Sequence, residues 1–355
     1  MVIENYISEA TALLRQMVAI PSYSFEEEKV ADMLCGWLEK KGLETERIGN
    51  NISSKLVFDR TLPTLMLCAH IDTVRAAEAY TFDPFNPPEV PDRILGLGSN
   101  DDGGSVVSLI AAFLWFRDAG TAPVNLYLLL SCEEERSGKG GTSSLGKTIS
   151  ANADFAIVGE PTGMEANIAE KGLLVIDGTA TGRSAHAARA EEGDNAIYTA
   201  IKDVETLRNF KFEKVSPMLG EVKLSVTGIN AGTVHNVIPE LCTFMVDIRP
   251  NECYTNEEIM ELLQREVKST LKARNLSNRS SATPAGHPLL ETARTLGIPT
   301  TTSATTSDWM RLPIPAIKMG PGDSHRSHKA DEYILKSEIA EGIAKYITFI
   351  NNLKQ

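Results

Sequence analysis

A chain of 355 residues is longer than one hydrophobic core usually serves, so two domains are the default. The balance of 42% hydrophobic and 23% charged residues is that of an ordinary globular protein, and no apolar run reaches the 18 residues that a transmembrane helix asks for. A formal net charge of -12 argues against nucleic acid and against an anionic membrane surface, since both call for basic patches.

Residues 3 to 18 have helical spacing, with acids early and no basic segment ahead of an apolar one. This reads as an amphipathic helix rather than a signal peptide, and the protein as cytoplasmic. Its five cysteines, Cys35, Cys68, Cys132, Cys242 and Cys253, are scattered and form no C-x-x-C pair. A reduced protein fits them better than a disulfide framework or a zinc knuckle. Ser24 and Glu27 have the spacing of a capping box, with a helix of roughly 16 residues expected after them and a stop at Gly42. The strand TLMLCAH follows, ending in His70 with Asp72 two positions on. A loop rich in Pro and Asp leads through GLGSNDDGG into the apolar helix SVVSLIAAFLWFRDAG. Then VNLYLLLSCEEE and ADFAIVGEP are apolar strands that end in acids.

Apolar strands alternating with helices predict an α/β fold, a mostly parallel sheet covered by helices on both faces. In such sheets ligands bind beyond the carboxyl ends of the strands. Polar residues gather at those ends here: His70 and Asp72, Glu133 and Glu134, then Glu160.

The middle of the chain changes character. GLLVIDGTATGRSAHA and GEVKLSVTGINAGTVHNVIPELCTFMVDIRP alternate as half-buried antiparallel strands do, with helical spacing over 194–210 and 256–271. These make a small α+β domain, residues 172–276, inserted into a larger domain formed by 1–171 and 277–355. The larger domain resumes with a helix, the strand PAIKMGPG and a final helix, KSEIAEGIAKYITFINNL.

His70, Asp101, Glu134, Glu160 and His328 lie on five separate segments of the larger domain, each at a loop or strand end. Carboxylates mixed with imidazoles suit zinc, cobalt or manganese and do not suit calcium. Five ligands are too many for one catalytic zinc with an open position. They suit two metals if one carboxylate bridges, an arrangement that can share and acidify a water.

The ordered set His70-x-Asp72, GLGSNDDGG, SCEEE, VGEPT and GPGDSHRSHKADEY resembles the M20 metallopeptidase family, nearest its acetylornithine deacetylase and succinyl-diaminopimelate desuccinylase branch. The likeness spans nearly the whole chain, and it implies a zinc-dependent exopeptidase fold with an inserted lid and dimerisation domain. By that resemblance Asp101 bridges two divalent metals, Zn2+ first and Co2+ as a substitute. His70 and Glu160 complete one, and Glu134 and His328 the other. Asp72 holds the outer nitrogen of His70. Glu133 is the general base, although reading the run one residue later makes Glu134 the base and Glu135 the ligand. His325 competes with His328, and the spacing of HKADEY favours His328. The family's Asp101–Asp102 peptide is cis. From the lid, His186 stabilises the oxyanion in the partner of a homodimer formed through 172–276, and Asn236 and Arg249 contact substrate. Ser307 and Asp308, in TTSATTSDWMRL, are placed beside the substrate's α-carbon. Two departures stand out: Gly103 where many members have Lys, and Cys132 where many have Asp.

The reaction implied is removal of an acyl group from an amino acid, with N-acetylornithine or N-succinylornithine as substrate in arginine synthesis. Alternatives within the family are succinyl-diaminopimelate or dipeptide hydrolysis. Outside it stands a catalytically inactive binding protein on the same fold. Serine hydrolase and single-zinc protease readings lack their G-x-S-x-G and H-E-x-x-H patterns.

Overall fold

The computed structural model describes residues 2–353. It divides into two compact units, one formed by residues 1–168, 282–301 and 307–355, the other by 169–281 and 302–306.

The first unit is built on a mostly parallel sheet. Thr64–His70 lies between Asn125–Ser131 and Phe155–Val158, parallel to both, and Ala316–Lys318 continues the parallel set beside Phe155–Val158. Asn51–Leu56 and then Glu46–Ile48 extend the other edge antiparallel. Every residue of Thr64–His70 and of Asn125–Ser131 is buried, as strands covered on both faces must be. The helices Ile3–Val18, Glu28–Lys40, Gly104–Ala119 and Lys336–Asn351 share one hydrophobic core with the sheet. Gly104–Ala119 is buried along nearly its whole length, so it is apolar all round, and it ends at Gly120 in the left-handed conformation. No helix among the described residues is long and apolar enough to cross a membrane.

The second unit is an antiparallel sheet in the order Lys223–Ala231, Leu241–Arg249, Leu174–Thr181, Thr270–Ala273. Two helices, Ala196–Asn209 and Asn256–Glu266, pack into its core. Gly178 pairs with Phe244, and a Cβ on Gly178 would overlap the buried Phe244 ring. Gly178→Ala is therefore expected to destabilise this unit by about 1–3 kcal/mol, read as a lower urea midpoint.

Two expectations are corrected. The helical reading of 256–271 overruns: the helix stops at Glu266, and Thr270–Ala273 is a strand. The Asp203 carboxylate accepts the amides of Lys268 and Ser269, drawing the chain out of the helix there. Ser24 and Glu27 do not form a capping box. The helix Glu28–Lys40 has no side-chain cap, and both side chains are committed elsewhere.

Candidate metal centre

Register explains why separate segments meet. His70 pairs with Ser131 and Cys68 with Val158, all in parallel strands, so the chain leaves three strands at one edge. The residues just beyond, Asp72, Glu133 to Glu135 and Glu160, share that rim. The turn Ser99–Gly103, which contains the cis Asp101–Asp102 peptide, brings Asp101 to it.

Asp101 stands between two imidazoles. Its Oδ1 lies 3.2 Å from His70 Nε2 and its Oδ2 lies 3.7 Å from His328 Nε2. His328 Nε2 is also 2.9 Å from Glu135 Oε2. One ligand atom each from His70, Glu134 and Glu160 falls within 4.8 Å of the others, and the same holds for His70, Asp101 and Glu135.

The other nitrogen of His70 is fixed by the main chain. Nδ1 lies 2.9 Å from the Asp72 carbonyl oxygen but 3.5 Å from Asp72 Oδ1. The Asp72 carboxylate is engaged three times over. It accepts the Glu134 amide at 3.0 Å, the Glu135 amide at 3.1 Å and Ser24 Oγ at 2.7 Å. Asp72 thus meets the outer nitrogen of His70 with its carbonyl first and its carboxylate second, and that carboxylate also organises the glutamate turn.

That turn also bears on the glutamate frame. Glu133 has φ +60°, its amide donates to Glu27 Oε1 at 3.1 Å, and its own Oε2 accepts the Gly140 amide at 2.7 Å. A Cβ on Gly138 or Gly140 would overlap the Glu133 carboxylate, which lies against that loop and in neither ligand group. Glu135, rather than Glu134, sits with His328 and Asp101, and Glu134 faces His70 and Glu160. The alternation of a strand does not carry through a left-handed residue, and Glu134 and Glu135 each join a ligand group while Glu133 joins neither.

His325 is exposed and bonded to Asp323, well placed as a surface residue and in neither ligand group. Ser307 and Asp308, expected beside the substrate's α-carbon, are both buried. Ser307 is fully buried, with its Oγ accepting the Trp309 amide. Buried Asp308 accepts Ser131 Oγ at 2.5 Å and Thr142 Oγ1 at 2.6 Å. Through these bonds Asp308 ties its segment to the end of the strand Asn125–Ser131.

The lid candidates lie in the second unit. His186 is exposed, and its Nδ1 accepts the Ala188 amide at 3.1 Å, so the neutral ring carries its proton on Nε2. Asn236 is exposed, its carbonyl accepting the Ala187 amide. The Arg249 guanidinium forks onto Asp247 at 2.9 and 3.1 Å.

Two further buried carboxylates support the site: Glu27, read from the sequence as part of a helix cap, and Glu332, which was not singled out. Glu27 takes the amides of Phe25 and Glu133 and the side chain of Asn50. Glu332 takes the amides of Gly98, Asn100 and Asp101. Glu27 is the middle of three consecutive glutamates and Glu332 follows Asp331, so neither stood out as a buried acid.

The site is short of positive charge. Burial, and then the neighbouring carboxylates, push Glu134 and Glu160 well above the usual carboxylate range, with His70 and Lys318 offsetting part of it. Burial also raises Glu135, against the pull of His328. Burial would lower His70, but its bonds to Asp101 and Asp72 win and raise it well above an ordinary imidazole. The hydrogen bond to Glu135 raises His328 to about 9. Asp102 is buried with neither oxygen hydrogen-bonded, and burial pushes it up to about 8. Desolvated acids at this density around two imidazoles fit divalent cations, which would relieve the repulsion.

A model of peptidase family M20/M25/M40 matches residues 66–352. The chain is 29% identical to an acetylornithine deacetylase of Proteus mirabilis and 28% to one of Edwardsiella ictaluri, with 91% of this chain covered in both cases and 91% and 92% of the relatives. Among solved structures, an M20 family metallo-carboxypeptidase of Sulfolobus solfataricus superposes with a TM-score of 0.77 at 17% identity, covering 97% of this chain and 99% of its own. A dinuclear metal-binding M20 peptidase of Bacillus subtilis gives 0.75 at 15% identity, with 98% of each chain covered.

Proposed function

Because the chain belongs to peptidase family M20/M25/M40, we propose that it is a dinuclear metal-dependent amidohydrolase that removes an N-acyl group from an amino acid. The substrate is N-acetylornithine or N-succinylornithine, and the setting is arginine synthesis in the cytoplasm. The observation that carries the reading is Asp101, which offers one oxygen to His70 and the other to His328. The curated relatives named acetylornithine deacetylase support the substrate class.

In this reading two cations would share Asp101, with His70 and Glu160 holding one and Glu135 and His328 the other. Mixed imidazole and carboxylate ligands favour Zn2+, with Co2+ able to replace it. When bound, the cations would supply Lewis acidity to the amide carbonyl and to a water. Glu134, raised by its surroundings, takes the proton from the attacking water and passes it to the leaving amine. Asp72 holds the amides of Glu134 and Glu135, so base and ligand diverge from adjacent positions. The Nε2–H of the partner subunit's His186 donates to the developing oxyanion, in a homodimer formed through 172–276. Asn236 and Arg249 bind the substrate, with Arg249 exchanging Asp247 for the substrate carboxylate.

Amine release from the two ornithine derivatives, measured side by side, tests this. Turnover of one is expected, lost on chelation and restored by Zn2+ or Co2+. Turnover of neither, with metal verified in the sample, would shift the substrate to succinyl-diaminopimelate or dipeptides. A protein that takes up no metal would overturn the hydrolase reading in favour of a binding protein.

A further inference from the structure

The segment that carries His328 also reaches the turn that carries Asp101. Glu332, four residues on, is 2% exposed and directs its carboxylate at that turn. Its Oε1 accepts the Asn100 amide at 2.8 Å and the Asp101 amide at 2.9 Å, and its Oε2 accepts the Gly98 amide at 3.1 Å. Both oxygens are used, and three aligned N–H dipoles offset one buried charge.

Other contacts already anchor this segment to the fold. Tyr333–Leu335 pairs with Arg93–Leu95. The neighbouring Asp331 accepts the Thr81 amide at 2.8 Å and Thr81 Oγ1 at 2.9 Å. What the three Glu332 bonds add is specific. They fix the main chain at Asp101 relative to the segment bearing His328, and so set the distance between two ligands.

We propose that Glu332 is a positioning residue for the metal pair. It holds the turn Gly98–Asp101 so that the Asp101 carboxylate faces both His70 and His328 before any cation binds. The proposal rests on the dinuclear reading above. Without Glu332 the turn would keep its shape only at the expense of metal-binding free energy, so the loss would appear in metal affinity.

The test is metal titration into the apoprotein, by calorimetry and by chelator competition, for wild type, Glu332→Gln, Glu332→Asp and Asp331→Asn. Gln keeps the length but sets an amide donor against one of the N–H groups, and Asp keeps the charge but falls one methylene short. Wild type is expected to bind two ions. Both Glu332 variants are expected to bind the weaker of the two about 10- to 100-fold less tightly. Their kcat should fall at limiting metal and recover in excess metal, with KM unchanged. Asp331→Asn, which loosens the same segment from outside, should bind metal as wild type does even where its Tm falls.

Folded Glu332 variants that bind two ions with wild-type affinity would overturn the role of Glu332 alone. Wild type binding fewer than two would overturn the dinuclear reading and this proposal with it. Should neither Glu332 variant fold, hydrogen exchange on the wild-type apoprotein decides. Slow exchange at the Asn100 and Asp101 amides before metal is added is the expected result. Amides that exchange freely until metal arrives would mean that the cation organises the turn, and Glu332 does not.

Discussion

Glu134→Gln is expected to lower kcat by roughly 10²- to 10⁴-fold, the usual contribution of a positioned general base, while leaving metal content intact. The neighbours should respond differently, and the contrast is the point. Glu135 sits against His328 and Asp101, so Glu135→Gln should weaken metal binding first and lose turnover as a consequence. Glu133 is bent onto the Gly138–Gly140 loop, and Glu133→Gln keeps an oxygen for the Gly140 amide. Its effect should be about 0.5 kcal/mol, roughly a twofold change. Metal content and kcat measured on the three variants together separate base, ligand and bystander. If Glu133→Gln proved the inactive variant with metal retained, the frame argued from the structure would be wrong.

Asp72→Ala should be damaging in a second way. Its carboxylate is buried and accepts two amides and a hydroxyl, all of which lose their partner at once. Leaving such groups unsatisfied costs about 1–3 kcal/mol each where water cannot reach, and neighbours relax, so about 2–4 kcal/mol in total is expected. Asp72→Asn keeps one acceptor oxygen and should cost less. Both should lose turnover beyond the stability effect, because the turn that aims Glu134 is no longer held. Urea unfolding gives the first quantity, and kcat on the folded fraction gives the second. Wild-type kcat in a destabilised Asp72→Ala would show that the turn needs no such clamp.

Much of this site was legible because a parallel sheet puts its polar breaks in one place. His70, Glu160 and the acids after Ser131 each end an apolar run, and parallel pairing carries those ends to a common rim. The frame of the acids was not legible. Three identical residues offer no contrast, and the left-handed backbone at Glu133 that decides the matter leaves no mark in composition. Ser24 and Glu27 had the spacing of a helix cap, but tertiary partners outbid the local one: Ser24 bonds Asp72 and Glu27 bonds the Glu133 amide. Glu332 was invisible for a related reason. In DEYIL it resembles a solvated acid before a short strand, and only the fold shows three amides converging on it. The helix expected over 256–271 failed where β-branched residues and Asp203 favoured an extended chain.

The sheet-based unit is interrupted by the second unit between residues 168 and 282, and the ligand set is divided by that interruption. The proposed ligands His70, Asp101, Glu135 and Glu160 precede it, and His328, with the positioning residue Glu332, follows it. During synthesis at about 5–20 residues per second, the early part of the site waits on the order of ten seconds or more for its last imidazole. In the proposed reading the growing chain would carry an acid-rich half-site with one histidine over that interval. The second cation site would be complete only when the final segment meets Asp101, which would tie metal loading to completion of the fold.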